Sequence, residues 1–270
     1  MTKDRFQSLL INQGLHHSIA DHIDESWYEL FENLLPELKE VFSKLYKERY
    51  KNIDLVKDVN NVELTTIYPT DTLIFRAFKL CKLTDLKCIW LLQDPFHDGS
   101  AIGLCLDNSI TNKKRSPSLQ NVLNEIYTDI ETEDAYLGKK TCSELEHLTP
   151  QGVLLLNTAL TVEKGKPGSH LEIWKPFTEK LIQSLAVQDK IVWCLWGAKS
   201  LSFKETILLA VANGINKDIP ELTTAFIISS HPSPLGANKT MQGYPAFIGS
   251  KPFSRINKYL KEWDKTEIKW

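Results

Sequence analysis

Five short runs of branched and aromatic residues constrain this chain more than any other feature: CIWLL at 88–92, IGLCL at 102–106, VLLL at 153–156, KIVWCLW at 190–196 and TAFIIS at 224–229. Most are continuously apolar rather than alternating, the pattern of strands buried on both faces. Such strands need helices on both sides. Segments 26–48, 118–131, 171–187, 198–213 and 251–263 place apolar residues at helical spacing and can supply them. The predicted fold is therefore α/β: a single domain with a central, mainly parallel twisted sheet flanked by helices. Residues 1–25, with His16, His17 and His22, read as an N-terminal helical extension, and 26–270 as the main domain.

A chain of 270 residues that is 42% hydrophobic and 24% charged can bury one substantial core, so one compact domain is expected. The apolar stretch at 152–162, GVLLLNTALTV, is interrupted by polar residues far short of a membrane span. The opening MTKDRFQSLL lacks an export signal, so no membrane association and an intracellular location are expected. That location would be a prokaryotic cytoplasm, or the nucleus or host cell for a eukaryotic or viral source. Five cysteines, an odd number without a C-x-x-C pair, argue for packed thiols over a disulfide framework or a metal site.

The net charge of −2 leaves no general nucleic-acid footprint. Locally, however, His231 to Lys261 carries Lys239, Lys251, Arg255, Lys258 and Lys261 with no Asp or Glu, enough for a phosphate-facing patch. A solvated helix face accounts equally well for Lys258 and Lys261 alone.

In an open parallel sheet, ligands bind beyond the carboxyl ends of the strands. There the strand candidates deliver Gln93-Asp94-Pro95, Asn157, Gly197 and Ser230-His231-Pro232. Each alone reads as an ordinary turn. Together, an acid, an amide and an imidazole at one edge make a candidate site with an acid or base, an amide reader and a proton or hydrogen-bond donor.

These residues also carry a resemblance. LLQDPFHDG resembles the water-activating loop of family 1 uracil-DNA glycosylases, usually written GQDPYHG; SPSL at 116–119 is similar to that family's proline- and serine-rich loop. GVLLLNTALTV is similar to its uracil-recognition strand, and SSHPSPLGA to its minor-groove intercalation loop. PGSHLEIWKPFTEKLI, the strand ending LWG and the terminal KTEIKW also fit, so the likeness runs from about Ser26 to Trp270.

The resemblance implies removal of uracil from DNA by hydrolysis of its N-glycosidic bond, within a uracil-DNA glycosylase-like catalytic domain. Asp94 would support the oxocarbenium charge and position water. His231 would stabilise the leaving uracil anion. Asn157 would read uracil O4 and N3–H, Phe96 would exclude the thymine methyl, Gln93 would contact the base through its backbone, and His97 would help position water. Leu106 takes the place of the phenylalanine that stacks on uracil. Leu235 would enter the duplex, while Ser118, Gly197, Ser233 and Lys239 belong to the DNA-binding loops. No metal or organic cofactor is implied. The implied partner of a monomer is uracil-containing DNA, single- or double-stranded, with replication or single-strand-binding proteins as further partners.

The chain departs from the pattern at Leu92 and Leu106, at Ser116 (usually proline), at Ile102 (often histidine) and at Ala198 (usually serine). The loop from His97 to Gly103 is one residue shorter, and GANKTMQGYPAF after Leu235 about five residues longer, than usual. The departures raise a second reading, a replication-accessory DNA-binding protein on the same scaffold with weak or no catalysis. Retention of Asp94, Asn157 and His231 speaks against it. Action on another damaged base is a third.

Overall fold

A computed structural model describes residues 1–51, 64–108, 114–130, 143–214 and 223–270. In chain order its helices and strands are α1 (Lys3–Asn12), α2 (Tyr28–Glu32), α3 (Leu35–Arg49), β1 (Ile67–Tyr68), α4 (Arg76–Leu80) and β2 (Cys88–Leu92). After these come α5 (Pro117–Ile130), β3 (Val153–Asn157), β4 (Val162–Glu163), α6 (Leu171–Ala186) and β5 (Ile191–Trp196). The chain closes with α7 (Ala198–Leu201), α8 (Lys204–Gly214), β6 (Thr224–Ser229) and α9 (Pro252–Glu262).

The main sheet has the order β3-β2-β5-β6, and every neighbouring pair is parallel. The strands of β2, β3 and β5 are buried at every position, as their unbroken apolar runs require. Helices α3, α6 and α8 pack together as one layer and α5 with α9 as another. Trp90 of β2 lies against Trp196, Phe253 and Trp270, while Phe31, Phe75, Phe78, Trp174 and Phe177 form a second aromatic cluster. In the first 25 residues, α1 and a 3-10 helix at His17–His22 bury Phe6, Leu10, Ile19 and Ile23 in the same core. Phe6 stacks on Tyr28 at 4.4 Å.

Three sequence expectations are corrected. The run 102–106 is not a strand: Gly103 (φ 78°) and Leu106 (φ 61°) are left-handed, and only an isolated bridge joins Ala101 to Asn108. A Cβ on Gly103 would sit 2.0 Å from the Leu73 carbonyl oxygen, so the chain crosses too closely there for a pleated strand. The helix expected over 26–48 breaks between α2 and α3 at Asn33–Leu34: Pro36 sits in the first turn of α3, where it needs no N–H, and a continuous helix would require one to donate to the Glu32 carbonyl. The helix expected over 198–213 splits at Ser202, whose hydroxyl bonds the Lys199 carbonyl at 2.7 Å and competes with the backbone ladder.

The topology also sets where a ligand can sit. The chain enters the sheet at β2, adds β3 on one side, then crosses to β5 and β6 on the other. The reversal lies between β2 and β5, and crevices in open α/β sheets form at that point.

Candidate active site

Gln93 and Asp94 leave β2 directly beside that crevice. Leu92 is in register with Asn157 of β3, and the pairing continues past the strand ends. The Thr158 amide donates to the Leu92 carbonyl at 2.7 Å; the Gln93 carbonyl accepts from the Ala159 amide at 2.9 Å and the Thr158 hydroxyl at 2.7 Å. These bonds hold Asp94 and Asn157 at one edge. The half-buried Asp94 carboxylate accepts from the Gln93 side-chain amide at 3.0 Å through Oδ1 and from the Gly168 amide through Oδ2. Burial pushes its pKa above the ordinary carboxylate value of 3.8, while the Gly168 and Gln93 donors hold it down.

Asn157 is 6% exposed, and its Oδ1 is buried without a hydrogen-bond partner. An unpaired buried acceptor costs about 1–3 kcal/mol, so this oxygen is equipped to receive a donor from a ligand.

His231 follows β6 and packs against Gly197 at the end of β5. Gly197 has φ 109°, and a Cβ there would lie 3.2 Å from His231 Cβ and 3.3 Å from its Cδ2. Only glycine gives the imidazole this seat. The Ser233 amide donates to His231 Nδ1 at 3.0 Å, which places the proton of the neutral ring on Nε2. Burial lowers the pKa below the ordinary imidazole value of 6.5. Asn121 of α5 holds the loop by donating to the Pro232 carbonyl at 2.8 Å.

The turn after His231 is tightly bonded. The Ser233 carbonyl accepts from the Gly236 and Ala237 amides, and the Ser230 hydroxyl joins the Gly236 carbonyl to the Phe247 amide. Leu235 stands out of this turn 83% exposed, a single apolar side chain on a polar loop. Lys239 is exposed one turn further on. The longer segment after it is folded onto the body: Met241 bridges to Tyr244, whose hydroxyl accepts from Lys204 Nζ at 3.1 Å.

Ser118 lies in the first turn of α5, where backbone amides lack helical partners and suit an anion. Ser116 caps that helix by accepting the Leu119 amide at 3.1 Å. Phe96 and His97 are half-buried, and the His97 carbonyl accepts the Gly165 amide at 3.0 Å. Leu106 is 7% exposed and follows Cys105, whose amide bonds the Leu155 carbonyl of β3 at 3.2 Å. In the basic stretch, Lys251, Lys258 and Lys261 are exposed, with Lys258 4.0 Å from Glu262. Cys81, Cys88, Cys105 and Cys194 are buried free thiols, and Cys142 lies outside the described residues. Among the described residues no helix is long and apolar enough to cross a membrane.

Thr158, Gly168 and Asn121 support the site and carry no sequence signal for doing so. Each acts through its position: a ladder extension, a left-handed glycine amide (φ 78°) aimed at Asp94, and a side chain reaching a loop 111 residues away. A separate cleft of about 480 Å³, whose lining includes His16, Phe42, Tyr46, Arg49 and Asp71, shares no residue with this edge.

A buried amide, a carboxylate and a neutral imidazole at the switch point of a parallel sheet, next to an exposed apolar wedge, define an α/β glycosylase-type protein. The chain belongs to the uracil DNA glycosylase superfamily, whose model matches residues 78–261. It is 34% identical to the uracil-DNA glycosylase of Aliarcobacter butzleri over 91% of this chain and 100% of that one. It is 36% identical to that of Equine herpesvirus 2 over 82% of this chain and 81% of the viral protein. The crystal structure of mimivirus uracil-DNA glycosylase shares the fold with a TM-score of 0.70 at 22% identity, over 92% of this chain and 87% of that chain.

Proposed function

We propose that this chain hydrolyses the N-glycosidic bond of uracil in DNA, releasing uracil and leaving an abasic site. The observation that carries this reading is the unpartnered buried Oδ1 of Asn157, beside the strand end that bears Asp94. Uracil N3 is a donor and O4 an acceptor, so one amide satisfies both, whereas cytosine presents the opposite pattern. The base must leave the duplex stack to reach a pocket at the sheet edge. Leu235 fills the gap it leaves, and Ser118, Ser233, Gly197 and Lys239 belong to the loops that hold the DNA. Phe96 closes the pocket against a 5-methyl group.

Cleavage builds positive charge on the sugar and negative charge on uracil. Ionised Asp94 stabilises the first and orients water, with His97 assisting. Neutral His231 donates Nε2–H to uracil O2 and stabilises the second. Residues 26–270 constitute the catalytic domain and 1–25 an extension packed on it. The test is incubation with uracil-containing and thymine-containing oligonucleotides followed by alkaline cleavage. Scission at uracil alone is expected; no scission at either would overturn the reading.

The pH dependence follows from the same two groups. The reaction requires Asp94 ionised and His231 neutral, so both protonations abolish activity. Asp94 titrates above 3.8 and His231 below 6.5. The acid limb of kcat/KM is therefore expected to lie above the ordinary carboxylate value of 3.8, with no contribution from His231 above pH 6.5. Full activity retained below pH 3.8, where Asp94 is protonated, would contradict the assignment.

Leu106→Phe tests the stacking position. Base–aromatic stacking is worth about 1–3 kcal/mol, of which leucine forfeits about 1 kcal/mol. At 1.36 kcal/mol per tenfold, single-turnover excision is expected to rise about three- to thirtyfold. A loss of activity with unchanged thermal stability would show that Leu106 does not face the base.

A further inference from the structure

Leu106 has a left-handed backbone, φ 61°, a conformation unfavourable for an L-residue with a side chain, which persists only where the surroundings impose it. Two flanking attachments impose it. Ahead of it, the Cys105 amide is tied to the Leu155 carbonyl on the strand that ends in Asn157. Behind it, the fully buried Asp107 carboxylate accepts the Ser143 hydroxyl at 2.5 Å, the Leu145 amide at 2.9 Å and the Glu144 amide at 3.3 Å.

The next residue points the connection elsewhere. Asn108, 2% exposed, accepts the Ser116 amide at 2.9 Å through Oδ1 and donates to the Lys114 carbonyl at 3.1 Å through Nδ2. Ser116 caps α5, two residues before Ser118. One dipeptide is thus anchored on its first side chain to the segment at 143–145 and on its second to the turn that opens α5.

We propose that Asp107 and Asn108 are positioning residues that hold the base-facing Leu106 and the phosphate-facing Ser116–Ser118 turn in one fixed relation, Asp107 acting through Leu106 and Asn108 through Ser116. This deepens the reading above and rests on it: Leu106 lies against uracil and Ser118 against a phosphate. A backbone gripped at the wrong distance from the pocket would present the flipped base out of reach, and positional errors of this kind are costly to catalysis.

The experiment is steady-state and single-turnover excision by wild type, Asn108→Ala, Asn108→Asp and Asp107→Asn, with active-site titration and melting temperatures. Asn108→Ala loses both the Ser116 and the Lys114 hydrogen bonds and is expected to raise KM for uracil-DNA about three- to tenfold, the scale set by the lost bond to the Ser116 amide, with kcat and inhibition by free uracil unchanged. Asn108→Asp retains an acceptor for the Ser116 amide but sets a carboxylate oxygen against the Lys114 carbonyl, and is expected to recover only part of that KM. Asp107→Asn puts a donor against backbone amides and is expected to weaken inhibition by free uracil by a similar factor. Loss of activity in proportion to the inactive fraction, with KM and uracil inhibition unmoved in the active protein, would reduce both residues to fold supports and overturn the proposal. A wild-type KM in Asn108→Ala would remove the link through Ser116. A wild type that releases no uracil from any substrate would instead overturn the functional reading, which separates the two failures.

Discussion

The Asp94→Asn protein is expected to bind uracil-containing DNA but to release uracil about 10²- to 10⁴-fold more slowly, the range attributed to a positioned charged or basic group. The substitution is nearly isosteric, so Pro95 and the bonds from Thr158 and Ala159 to the preceding backbone remain. What disappears is the negative charge proposed to face the developing oxocarbenium. The new amide nitrogen also meets a donor at either oxygen position, since the Gln93 side chain and the Gly168 amide both point at the carboxylate. Single-turnover excision with a parallel binding measurement separates the contributions. Excision within tenfold of wild type would remove Asp94 from the mechanism.

The His231→Leu protein is expected to lose about 10²- to 10³-fold in excision, comparable to deleting one donor from a preorganised anion site. The structure leaves one ring nitrogen for the proposed donor: Nδ1 accepts the Ser233 amide, so the neutral ring carries its proton on Nε2. Leucine also strands the Ser233 amide, which sets a stability loss of about 1–3 kcal/mol where that amide is shielded from water. Melting temperature must therefore be measured beside activity. A rate loss that vanishes once the folded fraction is taken into account would leave His231 a loop anchor and no more. The acid limb supplies a second check, because in this variant Asp94 alone should set it.

Continuous apolar runs at 88–92, 153–156, 190–196 and 224–229 made four strands and the helical cover of the sheet legible, because burial on both faces leaves no room for polar residues. The run at 102–106 is equally apolar and is not a strand, because burial is a property that a tightly crossed loop shares. Periodicity likewise read through the breaks at Pro36 and Ser202, since a pause in a helix need not interrupt the apolar face on which it packs.

The residues proposed to perform the chemistry, Asp94, Asn157 and His231 among them, could be named from the chain alone, because the ends of buried strands are few and each carries its polar residue in sequence. Which atoms are free to act could not. That Asn157 Oδ1 lacks a partner, that His231 carries its proton on Nε2, and that Gly168 aims an amide at Asp94 are decided by groups distant in sequence or by loop geometry. A hydrogen bond depends on distances of a few tenths of an ångström between segments that only the folded chain brings together. The seat of His231 makes the same point: the spacing of Gly197 and His231 along the chain says nothing of a fit so close that a Cβ on Gly197 would come within 3.2 Å of His231, which the pairing of Trp196 with Ser229 creates.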